Sequence, residues 1–230
     1  MSQDRPISRR ELLGASAGAA AGLVASRLAG EAPAGPACDD ATAAQTRGPY
    51  YPTHDRPDED PDLTQVEGRP GRATGEIVYV RGKVLDEACK PVAGALVEIW
   101  QANSWGRYDH EGDAGNPRPL DPNFQSWAEM LTDKDGGFRF KTIKPGAYPA
   151  DDSGWIRPPH IHFRVSRRGY HELITQMYFA GEPLNERDRI REALDPEDRE
   201  RVTVALQPAG AGADAGSRLG RFDITLRQVT

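Results

Sequence analysis

Two histidines one residue apart stand in the stretch Trp155-Ile156-Arg157-Pro158-Pro159-His160-Ile161-His162-Phe163. Side chains two apart on a β-strand point to the same face. His160 and His162 could therefore present two imidazoles to one ion from a rigid element, while Ile161 and Phe163 turn into the core. His-x-His at this spacing serves zinc, copper and iron sites alike. A cupin would place a glutamate soon after such a pair, and residues 163–170 hold no acid. A ferrous centre of two histidines and one carboxylate also needs an acid nearby. Asp151 and Asp152 are the nearest in sequence, and spacing alone leaves them open.

For the pair to work it must ride on a strand, and its surroundings supply strand candidates. From Gly75 onward, short β-favouring runs alternate with turn chemistry. Residues 77–85, the turn Asp86-Glu87-Ala88-Cys89-Lys90-Pro91 and residues 95–101 predict a hairpin. Asp133-Lys134-Asp135-Gly136 leads into a run over 137–143 that ends at Lys144-Pro145-Gly146. Residues 160–165, 173–179, 201–206 and 221–226 alternate or run apolar in the same way. These runs predict an all-β fold: an antiparallel β-sandwich with long irregular loops and at most one short helix, placed at 186–194.

A chain of 230 residues suits one sizeable domain. Its 24 glycines and 19 prolines fit many short strands better than long helices. The net charge of -6, with no run of lysine and arginine, predicts neither nucleic acid nor an anionic membrane surface as a partner. Only Cys38 and Cys89 are available, too few for a disulfide framework or a cysteine-based zinc cluster, and the sequence leaves open whether they pair.

The first residues read as an address. Ser8-Arg9-Arg10-Glu11-Leu12-Leu13-Gly14 precedes a small-residue apolar run over 15–25 that is too short and too rich in alanine and glycine to span a bilayer, which takes about 20 apolar residues. This predicts a twin-arginine export signal over 1–30 and a periplasmic or extracellular protein with no membrane span. Residues 31–46 read as a linker and 47–230 as the catalytic β-sandwich domain, opening with an irregular arm over 47–72.

Five segments occur in order: Trp100-Gln101-Ala102-Asn103, Gly106-Arg107-Tyr108, Thr142-Ile143-Lys144-Pro145-Gly146-Ala147-Tyr148-Pro149, Arg157 to Phe163, and Thr175-Gln176-Met177-Tyr178-Phe179. The series resembles the intradiol ring-cleavage dioxygenases, in particular the protocatechuate 3,4-dioxygenase type. The resemblance implies one non-haem Fe(III) per chain, held by Tyr108, Tyr148, His160 and His162. It also implies a small aromatic diol and O2 as substrates, with the ring opened between its two hydroxylated carbons to a muconate-type diacid. In that scheme Tyr148 is released to act as a base, and Arg157 stabilises the charge that builds on the ring. Gln176 and Tyr178, two apart on one strand, match positions lining the substrate pocket, and Tyr50 and Tyr51 match a segment near its mouth. Such enzymes form homo-oligomers or pair with a related second subunit.

The chain departs from the type where Ala150-Asp151-Asp152 follows Tyr148-Pro149 in place of an aromatic residue. That leaves the substrate open and leaves a ring-carboxylate clamp to an arginine of the irregular arm, Arg47 or Arg56. The competing readings are a non-catalytic transthyretin-like or carbohydrate-binding β-sandwich and a cupin-like metal oxidoreductase. Replacing Arg9 and Arg10 by lysine should stop the protein from reaching the periplasm or medium. Fractionation checks this, and undiminished arrival there would refute the export reading.

Overall fold

The computed structural model describes Cys38 and residues 40–53, 60–151 and 153–230, so the export signal and Arg56 lie outside the described residues. The chain runs through β1 (Ile77–Asp86), β2 (Leu96–Trp100), β3 (Trp127–Leu131), β4 (Gly137–Ile143), β5 (Tyr148–Pro149), β6 (Ile156–Arg157), β7 (His160–Ser166) and β8 (Leu173–Phe179). Helices α1 (Arg189–Glu192) and α2 (Pro196–Arg201) follow, then β9 (Thr203–Val204), β10 (Gln207–Pro208), β11 (Arg218–Arg221) and β12 (Ile224–Leu226).

Among the described residues two five-stranded sheets form the sandwich, and no barrel closes. In the first, β1 pairs antiparallel with β4 and parallel with β11 and then β12. The second has the order β3-β2-β7-β8-β9, antiparallel except where β8 meets β9. The sheets are thus mixed rather than purely antiparallel. Period-two alternation selects the inner face: Val78 and Val80 of β1 and Phe138 and Phe140 of β4 are buried, while Arg81 and Arg139 face solvent. These meet Val97, Ile99, Ile161, Phe163 and Val165 of the second sheet, and the Phe163 ring lies 5.0–6.1 Å from those of Phe222, Phe140 and Phe138. At Gly82 a Cβ would stand 1.7 Å from the Phe222 carbonyl oxygen, so only glycine fits where β1 passes from β11 to β12.

The described residues depart from or add to the sequence reading in three places. Among the described residues there are two short α-helices where at most one was expected, because Asp188 caps α1 through Ile190 N and Arg191 N, and Pro196 at the start of α2 restarts the helix after Asp195. Strand β3 escaped the sequence reading because Ala128, Glu129, Met130 and Leu131 favour helices, and pairing with β2 overrides that preference. The described part of the supposed linker is bound to the sandwich: Thr42 N donates to Thr225 O and Gln45 N to Ile174 O. Cys38 and Cys89 form a disulfide that fastens the start of this arm to the β1–β2 turn, where Cys89 adopts φ 57°. Among the described residues no helix is long and apolar enough to cross a membrane.

Phe163→Ala should cost about 3–5 kcal/mol, since it empties the centre of the core. Leu131→Ala, at a side chain 67% exposed on β3, should stay within about 0.5 kcal/mol. Urea unfolding midpoints compare the two, and equal losses would misplace the core.

Candidate metal and active site

The site lies on the face of β7 turned away from the core. Register sets its members opposite one another: His160 pairs with Tyr178 and His162 with Gln176 across β7 and β8, and Trp100 of β2 pairs with His162. Directly opposed residues share a face, so this one pleat delivers both imidazoles together with Gln176, Tyr178 and the Trp100 indole. Trp100 stacks on His162 at 4.8 Å between centroids and 8° between planes. The small β5–β6 ladder pairs Tyr148 with Arg157, adding the second tyrosine and the guanidinium.

The N-terminal arm covers this face. Gly48 has φ +70°, and a Cβ there would lie 3.3 Å from His162 Cε1, so the chain can cross the imidazole so closely only as glycine. Tyr50 stacks on Tyr108 at 4.5 Å and meets Tyr148 edge-on at 6.1 Å. Thr46 O accepts from Gln176 Nε2, and Gln45 Oε1 accepts from Tyr178 Oη at 3.0 Å.

Four potential ligand side chains converge in the space beneath. His160 Nε2 and His162 Nε2 are 3.2 Å apart, and Tyr148 Oη is 3.5 Å from His160 Nε2. The Tyr108 and Tyr148 rings are edge-to-face at 5.3 Å, and Tyr108 lies 6.3 Å from His162. His160 Nδ1 is 2.7 Å from the Pro158 carbonyl oxygen, which only an N–H can approach, so Nδ1–H donates and Nε2 keeps its lone pair toward the cluster. Burial first, then the Arg157 charge, hold both imidazoles well below the usual histidine range, so neither is cationic at neutral pH. Burial, with the neighbouring Tyr148 second, raises Tyr108 well above the usual phenol value; burial likewise raises Tyr148 against the pull of Arg157. Tyr50 is pushed up to about 12, chiefly by burial and then by Asp113.

Tyr108 Oη is buried and, apart from the Tyr148 hydroxyl beside it, has no hydrogen-bond partner among the described residues. A poorly satisfied hydroxyl, a second phenol and two buried neutral imidazoles pressed together form a costly arrangement by themselves. A cation bound among them would offset that cost and allow the phenols to ionise. The donor set therefore fits a metal, and its two hard phenolic oxygens suit ferric iron. Asp151 does not join it: it is exposed, accepts from Ser153 and pairs with Arg189 at 3.7 Å. Asp152 lies outside the described residues, among which no group of three or more histidines, cysteines and acids could hold a metal.

Arg157 is buried beside the cluster with its Nη2 at 2.6 Å from Gln176 Oε1 and 3.3 Å from Tyr178 Oη, and its guanidinium lies over Trp155 at 5.5 Å. Its Nε donates to Asp188 Oδ2 at 2.5 Å. Sequence reading missed Asp188, Gln45, Gly48 and Trp155. Trp155 carried a signal, being two residues before Arg157 on the same side of the chain, whereas Asp188 and Gln45 reach the site only by tertiary contact. Arg47 is exposed and its guanidinium lies over Tyr51 at 5.2 Å.

The family model described as Dioxygenase matches residues 46–228. The chain is 43% identical over 183 residues to the protocatechuate 3,4-dioxygenase beta chain of Burkholderia cepacia, covering 78% of this chain and 76% of that one. It is 30% identical to the hydroxyquinol 1,2-dioxygenase of Nocardioides simplex, covering 81% of this chain and 65% of the relative. Among solved structures, the dioxygenase domain of a dioxygenase carbohydrate-binding protein fusion from Streptomyces sp. SirexAA-E matches with a TM-score of 0.60 at 32% identity, over 83% of this chain and 100% of that one.

Tyr108→Phe deletes this buried, poorly satisfied hydroxyl. In metal-stripped protein it should be neutral or stabilising by about 1 kcal/mol in urea, while iron retained after expression, read by elemental analysis, falls. Marked destabilisation of the stripped variant would mean that the hydroxyl is already well satisfied.

Proposed function

The chain belongs to the intradiol ring-cleavage dioxygenases, and from that premise we propose that it is a non-haem Fe(III) enzyme opening catechol-type diols between their two hydroxylated carbons with O2, to give muconate-type diacids. The observation that carries this reading is the convergence of two tyrosine hydroxyls and two histidine Nε2 atoms in one dry pocket beside a buried arginine. Tyr108, Tyr148, His160 and His162 would hold the iron. Iron held there would supply a Lewis acid that activates the diol ring.

The chain's own groups do the rest. Tyr148, the phenol nearest His160, accepts a proton from the incoming diol, and its raised pKa favours the protonated state once it is freed from a cation. Arg157 keeps its charge throughout and offers fixed donors to the negative charge that builds on the ring. Tyr50, Trp100 and the arm over Gly48 exclude water and wall the pocket with aromatic faces suited to a planar substrate. Ala150, partly exposed after β5, leaves room at the rim for a ring substituent.

Export by the twin-arginine route is part of the proposal. That route carries folded proteins and so suits a chain that takes up its metal before crossing. The Cys38–Cys89 disulfide agrees with an oxidising destination.

Catechol, protocatechuate and hydroxyquinol, offered to the iron-loaded protein, should include at least one that yields a colourless muconate-type product by ultraviolet absorbance and mass. A yellow semialdehyde would mean cleavage beside the hydroxyls and would overturn the mechanism. Arg157→Leu should slow turnover about 100- to 1,000-fold while iron stays bound.

A further inference from the structure

Asp188 touches none of the four presumed ligands and follows none of the sequence motifs, yet its side chain is fully buried. A carboxylate so placed must be compensated on every side. Its Oδ2 receives Arg157 Nε at 2.5 Å. Its Oδ1 receives Ile190 N at 3.1 Å and Arg191 N at 2.8 Å, the first free amides of α1, and stands 3.4 Å from Tyr178 Oη. One carboxylate thus joins a helix start to the guanidinium.

That attachment decides which edge of the guanidinium is free. Nε is taken by Asp188, and Nη2 by Gln176 and Tyr178 of β8. Nη1 alone among the three nitrogens makes no hydrogen bond to the described residues. The planar fork cannot turn without breaking a short charge-assisted bond on one side and two β8 contacts on the other.

We propose that Asp188 is a positioning residue for the ring-cleavage reaction: by holding Arg157 Nε it fixes the guanidinium so that Nη1 is the donor presented to the reacting diol. The inference rests on the dioxygenase reading above. It adds that the short helix α1 is a tether between the sandwich and the pocket. Gln176, Tyr178 and, through Tyr178, Gln45 complete the hold from the opposite side.

Asp188→Asn separates the two duties of the carboxylate. Asparagine is a good helix cap, and its oxygen can still take Ile190 N and Arg191 N, but its amide nitrogen then opposes Arg157 Nε as donor against donor. In the iron-loaded enzyme kcat should fall about 10- to 100-fold, with KM for the diol changed far less and the iron content and visible band retained. In an Arg157→Leu background the same change should cost no further activity, and it should raise the unfolding temperature of that background by removing a buried unpaired charge. A second readout needs no turnover. The Arg157 Nε–H proton of metal-free wild type, identified by its absence in Arg157→Leu, should exchange slowly with solvent and lose that protection in Asp188→Asn.

An unchanged kcat in Asp188→Asn, an equal further loss in the Arg157→Leu background, or a fast-exchanging Nε–H in wild type would each overturn the proposal. If the wild type cleaves no diol, the functional reading fails, and the exchange measurement still decides whether Asp188 holds Arg157.

Discussion

The first half of strand β7 is buried on both faces, and its pleat sorts its residues into two environments that make opposite demands. Ile161, Phe163 and Val165 point into the sandwich, where apolar packing against β1, β4 and β12 suffices. His160 and His162 point the other way and are equally dry, so they need partners as well as a cover. The second face accordingly carries its own small aromatic cluster of Trp100, Tyr108 and Tyr148, roofed by Tyr50 and Tyr51. A strand with one wet face would have left the imidazoles hydrated and close to their ordinary basicity.

Dryness then sets the electrostatics. Burial lowers both histidines and raises both tyrosines, so without a cation the four groups favour their neutral forms. The permanent charges beside them include Arg157 and Asp188, which compensate each other at 2.5 Å, and Asp113, which accepts from Tyr108 N and raises Tyr148. An arginine introduced here without its carboxylate would be a buried unpaired charge, and the pair is better read as holding a geometry than as adding net stability. A metal bound among them would stabilise the ionised phenols that burial alone disfavours.

The cover is the least expected part of the architecture. It is a strip of irregular chain, fastened at Cys38 to Cys89, hydrogen-bonded to β12 and β8, and then laid over His162 at Gly48. Backbone without regular structure can be buried only if its polar groups find partners. The arm's backbone finds them in Ile174 O, which accepts from Gln45 N, in Thr175 Oγ1, which donates to Ala43 O, and in the Gln176 side-chain amide, which donates to Thr46 O. Fold and site share these contacts, since the same Gln176 that anchors Thr46 also receives Arg157.

Much of this was legible in the chain itself. Alternation marked β1, β4, β7 and β8, because period two leaves a local trace wherever one face is apolar. His160 and His162 were legible as a pair for the same reason, and the ordered segments placed Tyr108, Tyr148 and Arg157 with them. Strand β3 was invisible, as its helix-favouring residues become a strand only beside β2. Asp188, Gln45 and Gly48 were equally hidden: an acid in a charged stretch, an amide in an apparent linker and a glycine in an irregular arm look ordinary until the fold closes. Local sequence determines which way side chains alternate and which chemistry is on offer. The parts of the site brought together by contacts 31 to 133 residues apart in the chain, Arg157 with Asp188 and Tyr178 with Gln45, are decided only when burial forces each polar group to find a partner.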